Sequence, residues 1–194
     1  MSKIGIILAM LLVIATAPVH AQPVSIGTNF FINRYIPEDG DGLTTFGWPS
    51  EGGPIFYTFS PGLRLTFGLD EKMKQALYLD SGLLWGVGSV GSGESFNMGQ
   101  FVLGYQVSMS DAPTAPYLTG GAGVMWLNDS EGDAWANPVL GGGLGLRHTL
   151  AHGKGTFRAE LHLDRQFQAE RNGTVKWPAL TSIGLKLGFD LNLK

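Results

Sequence analysis

The chain has 194 residues, a formal net charge of −3 at pH 7 and no cysteine. The acidic balance argues against nucleic acid as a partner, because nucleic-acid binding requires a basic surface, and the lack of cysteine excludes disulfide bonds and thiolate chemistry. The length predicts one domain. Many of the 29 glycines lie inside strand patterns, where they relieve crowding in curved sheets.

The first 21 residues have the pattern of a secretory signal peptide. Lys3 supplies a positive start, and an apolar run follows from Ile4 to Ala15. Cleavage is predicted between Ala21 and Gln22. A membrane anchor is the alternative, but the run of about twelve apolar residues is shorter than the roughly twenty that span a bilayer. Removing residues 1–21 leaves 173 of the 194 residues, 22–194, as the predicted folded domain.

Eight segments alternate apolar residues with polar or small ones at the period of two that is typical of β-strands. They cover about 24–34, 57–69, 75–87, 97–109, 115–127, 139–150, 157–167 and 184–193. In the seventh, Phe157, Leu161 and Leu163 share one face. In the eighth, Leu185, Leu187, Phe189, Leu191 and Leu193 alternate with Gly184, Lys186, Gly188, Asp190 and Asn192. The fifth segment is rich in glycine, and we assign Leu118, Ala122, Val124 and Trp126 to its outward face.

The connections between these segments alternate in length. Long or medium links follow the first, third, fifth and seventh segments: 35–56, 88–96, 128–138 and 169–179. Short links follow the second, fourth and sixth: 70–74, 110–114 and 151–154. Bacterial outer-membrane barrels have short periplasmic turns and longer extracellular loops. The pattern therefore predicts an all-β, eight-stranded antiparallel up-and-down transmembrane β-barrel in the outer membrane.

The apolar face is expected to meet lipid and the other face to line the lumen. Eight strands leave an interior just wide enough for side chains, and glycines with a few charged residues would fit there. Four basic and four acidic residues would point inward: Arg64, Arg147, Arg158 and Lys186, with Asp80, Glu160, Asp164 and Asp190. Their balance predicts a paired charge network in the lumen. An ordinary solvated strand face is the alternative.

Several residues fit the two membrane interfaces. Aromatic side chains lie toward strand ends or loops, as aromatic girdles do: Tyr57, Trp85, Tyr105, Trp126 and Trp177. Arg165 lies on the otherwise apolar face of the seventh strand. It can meet lipid phosphates near the outer end of that strand, or it can mark a break in register.

With these features the chain resembles the small eight-stranded outer-membrane β-barrels, such as the transmembrane domain of OmpA-like proteins. The resemblance covers residues 22–194. Lys186, Gly188, Leu191 and Leu193 look like the C-terminal assembly signal of that class. The resemblance implies recognition by the barrel-assembly machinery, contact with membrane lipid and lipopolysaccharide, and a monomeric barrel.

A catalytic alternative rests on His162, the inward histidine. Simple hairpin register would place Ser182 opposite His162 with Glu160 nearby, which is a nucleophile, base and carboxylate arrangement. Lipid A deacylase barrels resemble this architecture, but they carry a serine two residues after the histidine, where this chain has Asp164. A structural lumen network is the favoured interpretation.

Acidic residues at alternate positions occur in two loops, where they can bind calcium or simply face water. They are Asp39, Asp41 and Glu51 in one loop and Asp129, Glu131 and Asp133 in another. Neither loop has a complete EF-hand pattern, so no metal and no cofactor are expected. The sequence predicts a structural or interaction protein of the outer membrane that is not an enzyme. A lipid-modifying barrel enzyme and a soluble secreted lipocalin-like carrier are the alternatives.

Overall fold

A computed structural model describes residues 23–37, 43–44, 56–59, 61–90, 94–128, 134–167, 169–171, 174–177 and 179–193. The strands are β1 (Val24–Pro37), β2 (Leu43–Thr44), β3 (Phe56–Phe59), β4 (Pro61–Gly68), β5 (Gln75–Val90), β6 (Glu94–Ser108), β7 (Thr114–Asn128), β8 (Ala134–Thr149), β9 (Gly155–Gln166), β10 (Ala169–Arg171), β11 (Thr174–Trp177) and β12 (Leu180–Leu193). A short 3-10 turn covers Ala151–Gly153. Over these ranges, no helix has both the length and the apolar character needed to cross a membrane.

Eight of the strands close into an antiparallel barrel. Each of β1, β4, β5, β6, β7, β8, β9 and β12 pairs with the next, and β12 pairs with β1 to complete the circle. β3 pairs with β5 in the same register as β4, so β3 and β4 are two parts of one barrel strand. β2 pairs with β1, and β10 and β11 form a separate hairpin. The predicted fold class is confirmed.

The pairing register fixes the tilt of the strands. Directly paired residues can be followed once round the barrel from Ser25 to Tyr35, ten residues further along β1. The path runs through Thr66, Tyr78, Gly104, Gly121, Gly141, Asp164 and Ser182. At about 3.3 Å per residue and about 4.8 Å between strands, this shift tilts the strands by about 40° and gives a backbone radius of about 8 Å. Such a lumen holds side chains and little else.

The two faces of the sheet separate as the alternation predicts. Leu161 is 64% exposed and Leu63 is 57% exposed, whereas Arg64 and Asp80 are fully buried. Large apolar side chains face outward on all eight barrel strands, among them Phe30, Leu79, Phe101, Leu118, Leu144 and Leu187. The buried interior is mostly polar. A soluble barrel would have the opposite arrangement, with its apolar side chains inside.

Inward glycines make room for the large side chains of neighbouring strands. Gly104 lies directly opposite Tyr78, and a Cβ atom at Gly104 would overlap the Tyr78 ring. A Cβ atom at Gly188 would come within 2.6 Å of Arg158 Nη2. Side chains at these positions would therefore displace groups that fill the lumen. These inward glycines follow from the narrow barrel.

The strands extend further at the long-link end than the alternation predicts. β1 continues to Pro37, β5 continues to Val90, and β6 begins at Glu94. Backbone pairing can continue beyond the apolar belt, so the hydrophobic pattern underestimates strand length. The predicted signal peptide and the loop residues Asp39, Asp41, Glu51, Asp129, Glu131 and Asp133 lie outside the described residues.

The short turns lie together at the other end of the barrel. Asp70 organises the first of them, because its carboxylate accepts backbone N–H bonds from Lys72 at 3.0 Å, Lys74 at 2.9 Å and Gln75 at 2.6 Å. Lys72 Nζ also reaches Asp111 Oδ2 of the next turn at 3.1 Å. This ammonium group lowers the pKa of the Asp111 carboxyl.

A matched pair of glycines tests the packing of the lumen. We expect Gly104→Val to lower the free energy of unfolding by about 1–3 kcal/mol, because overpacking forces the Tyr78 ring to move. Gly120 faces outward, and a Cβ atom added there would meet nothing within 4 Å, so Gly120→Val should leave stability unchanged or slightly raised. Urea unfolding of both variants in lipid vesicles checks this. Equal losses would contradict the packing account.

Candidate functional site

Asp80 on β5 lies at the centre of the polar lumen. Asn29 Nδ2 donates to Asp80 Oδ1 at 2.9 Å, and Lys186 Nζ donates to Asp80 Oδ2 at 3.0 Å. Arg64 Nε lies 3.6 Å from Asp80 Oδ1. These groups come from β1, β12 and β4, so one carboxylate joins four strands of the barrel.

A second ion pair lies closer to the short turns. Arg158 Nε donates to Asp190 Oδ2 at 2.6 Å, and Arg158 Nη2 donates to Asp190 Oδ1 at 2.8 Å. This two-bond geometry is the strong form of an arginine–carboxylate pair. Arg158 Nη2 also donates to Asn29 Oδ1 at 2.9 Å. Asn29 therefore links the second pair to Asp80.

The remaining members complete the cluster. Arg64 Nη2 donates to Gln106 Oε1 at 3.0 Å, and its guanidinium carbon lies 3.9 Å from the centre of the Tyr78 ring. Lys186 Nζ lies 3.8 Å from Glu160 Oε1. We call this set the lumen cluster: Arg64, Asp80, Arg158, Glu160, Lys186 and Asp190, with Asn29 and Gln106. Its three cations and three carboxylates balance, as buried charges require.

The cavity that the described residues form beside the cluster is very small. A cavity of about 10 Å³ lies beside the cluster and is lined by residues that include Gln100, Thr119, Glu160 and His162. That volume is at the lower limit for one water molecule. A larger cavity of about 510 Å³ opens at the short-turn end beside Lys72, Arg147 and Asn192. Among the described residues, the space beside the cluster is thus far smaller than the space at the short-turn end.

Two of the eight residues proposed for the charge network lie outside the cluster. Arg147 lies near the short turns, where its Nη1 donates to the Met73 carbonyl oxygen at 2.8 Å. Asp164 lies towards the long-link end, with its Oδ2 3.4 Å from His162 Nε2. Alternation predicts the face of each charged side chain but not its contacts. It therefore grouped Arg147, which pairs with Arg158 but binds a turn carbonyl, and Asp164, which lies beside His162, with the cluster. The prediction considered charged residues only. It therefore missed Asn29 and Gln106, which are uncharged although alternation also places them inside the barrel.

The catalytic alternative depended on a register that the structure contradicts. Ser182 pairs with Asp164, and His162 pairs with Gly184. Among the described residues, neither ring nitrogen of His162 has a hydrogen-bond partner, so no serine–histidine hydrogen bond is present there. Glu160 instead faces Lys186. The β10–β11 hairpin connects β9 to β12 along the chain, and its pairing shifts register between Ala169 and Glu170, which counting a simple turn does not include.

Other predicted site residues fall on both faces of the wall. Lys186 and Gly188 face inward, while Leu191 and Leu193 face outward at 52% and 51% exposure. Tyr105 donates its hydroxyl to Gln75 Oε1 at 2.7 Å near the short turns, and Trp126 packs against Phe101 towards the other end. The side chains of Tyr57, Trp85 and Trp177 are outside the described set. Across the described ranges, no group of three or more histidine and acidic residues could hold a metal ion.

Comparisons with known proteins address the fold. No protein-family model and no curated protein matches the sequence. The structure of Neisserial surface protein A matches with a TM-score of 0.64 and 11% identity, covering 88% of this chain and 97% of that one. Ail, the attachment invasion locus protein of Yersinia pestis, matches with a TM-score of 0.53 and 11% identity, covering 90% and 100%. The chain therefore has the fold of the eight-stranded outer-membrane barrels, as the sequence resemblance implied.

Removing the central carboxylate tests the lumen cluster. We expect Asp80→Ala to lower the free energy of unfolding by about 3–5 kcal/mol, because Arg64 and Lys186 would lose their shared buried partner. Asp111→Ala removes a carboxylate from an exposed turn and should leave stability nearly unchanged. Urea unfolding in vesicles compares the two variants. A similar small effect for both would show that the cluster does not hold the strands together.

Proposed function

We propose that the chain is a structural or interaction protein of the outer membrane, with its long links extracellular and without catalytic activity. The exposed apolar side chains around the barrel carry this proposal. Leu63, Leu144 and Leu161 belong to a belt that continues over all eight barrel strands. Soluble monomers rarely expose continuous apolar patches beyond roughly 600 Å². Such a belt fits an environment of lipid hydrocarbon chains.

The closed backbone supports the same location. Lipid offers no hydrogen-bond partners, so a membrane sheet must leave no open edge. Here β1 pairs with β12 along its whole length, Val24–Pro37. Because the sheet closes within one chain, we propose a monomer. Leu191 and Leu193 on the outer face of β12 are the hydrophobic positions that we propose for recognition by the barrel-assembly machinery.

The interior favours a structural function over the two alternatives. A lipocalin-like carrier would need an apolar cavity for its ligand, whereas this lumen contains the charged cluster. A lipid-modifying enzyme would need a nucleophile and base in contact, and Ser182 and His162 are not paired. We propose that the lumen cluster holds the wall together while the outer loops contact lipopolysaccharide or other surfaces.

A charge on the membrane face tests the location. Leu144 lies in the middle of β8, flanked by Leu118 and Leu161, whereas Leu150 lies just beyond the short-turn end of β8. Arginine costs about 2–4 kcal/mol at the bilayer midplane and about 0–1 kcal/mol near the interface. We expect Leu144→Arg to reduce the heat-modifiable, folded fraction in outer membranes, with Leu150→Arg close to wild type. Recovery of the wild-type protein in the soluble periplasm would contradict the proposal.

The orientation can be tested on intact cells. We expect an epitope tag inserted within residues 45–55 to bind antibody without permeabilisation, because the long links are proposed to be extracellular. The same tag in the short turn 109–113 should bind antibody only after the outer membrane is opened. The reverse pattern, in a protein that fractionates with the outer membrane, would show that the barrel is inserted the other way round.

A further inference from the structure

Arg165 has an unusual place on the outer surface of the barrel. Among the barrel-strand side chains that the structure describes, it is the one aspartate, glutamate, lysine or arginine on the outward face. Arg165 pairs with Leu140 of β8 and Thr181 of β12 in continuous register. Its outward position is therefore not caused by a break in register. Its neighbours on the same face are Leu163 on β9 and Phe167 just after β9, which are 55% and 43% exposed. The cation therefore stands within an apolar surface near the long-link end of the belt.

The guanidinium group is held in a defined position. Arg165 Nη1 donates to Thr181 Oγ1 at 2.8 Å across the strand pair. A guanidinium has five donors in a planar fork, which matches the geometry of a phosphate group. Lipid headgroups carry phosphates at the depth where the hydrocarbon belt ends. The charge of Arg165 is thus complementary to the group that a surrounding lipid presents there.

The strand tilt places small residues directly beneath Arg165. A line parallel to the barrel axis leaves β9 and crosses β8 and then β7, because the strands tilt by about 40°. With the register given above, Gly142 lies about 8 Å and Gly120 about 11 Å below Arg165 along the axis. These two glycines are directly paired, and both face outward. The outer surface of the barrel is therefore recessed along the path that an acyl chain below the headgroup would take.

Gly120 is not required by the packing of the protein itself. A Cβ atom there would meet nothing within 4 Å, and a glycine is a poor strand former. Gly142 differs, because a Cβ atom there would come within 2.7 Å of the Thr119 carbonyl oxygen. Gly120 thus offers a substitution that fills the depression from outside without disturbing the wall.

We propose that Arg165 and Thr181 hold the phosphate of an outer-leaflet lipid, with one of its acyl chains lying over Gly142 and Gly120. The proposal rests on the outer-membrane location and adds a specific lipid site to it. The phosphate accepts hydrogen bonds from the guanidinium group. The acyl chain fills the recess in the outer surface at these glycines, between the larger side chains of Leu118 and Leu140.

The test measures lipid binding to the purified, detergent-refolded barrel by native mass spectrometry. The probes are lipid A, an acylated and phosphorylated glucosamine disaccharide, and its dephosphorylated form. We expect Arg165→Gln to weaken lipid A binding by about tenfold or more, to the level of the dephosphorylated probe, because a charge-assisted bond is lost.

Arg165→Lys should bind with intermediate affinity. Gly120→Leu should weaken both probes equally. Lys154→Gln, which removes an exposed cation at the short-turn end, is the control and should change neither.

The outcomes separate this proposal from the location itself. Heat-modifiable mobility and outer-membrane fractionation are measured for the wild type and for every variant. A wild type that does not fold into membranes would overturn the proposed function. Correctly inserted Arg165→Gln with unchanged lipid A binding would overturn the lipid site alone. An equal loss in Lys154→Gln would likewise reject it, since attraction would then depend on net charge rather than on this position.

Discussion

The closure of the sheet is the constraint on which the rest of the structure depends. A backbone N–H or C=O group without a partner is costly in hydrocarbon, so a membrane sheet cannot keep an edge. All of β1 pairs with β12, which lies at the far end of the chain. Once the circle is closed with eight strands and a shift of ten residues, the radius of the lumen is fixed. The wall must then be apolar outside and small or polar inside.

The narrow lumen explains both the inward glycines and the charge pairing. Gly104 and Gly188 leave space for Tyr78 and Arg158, which are their direct partners on the neighbouring strands. Charges in such a space have little water, so each needs a partner. Asp80 satisfies this need for groups from three other strands. The same side chains that neutralise one another also connect strands distant in sequence, and the outer face is left free to meet lipid.

Alternation with a period of two was sufficient to predict the fold, because strand count and facing follow directly from it. In β12, Leu187 and Leu191 face outward and Lys186 and Asp190 face inward, as their positions require. Register was harder to predict. Ser182 lies opposite Asp164 rather than His162, and the β10–β11 hairpin that joins the two strands contains a register shift that a simple hairpin lacks. The partners of each inward charge were also not accessible from a single strand. Arg147 faces inward as predicted and pairs with Arg158, but its guanidinium group donates to the Met73 carbonyl oxygen at the short turns.

The central claim is that the leucine face of the barrel meets hydrocarbon. The chain has no cysteine, so single cysteines can carry a spin label without interference. Leu63→Cys and Leu161→Cys place the label on two different strands, and Leu150→Cys places it at the short-turn rim. In reconstituted vesicles, we expect labels at the first two sites to collide with dissolved oxygen and to be shielded from a water-soluble nickel chelate, while the rim label meets the chelate. Equal access of the chelate to all three labels would contradict the account.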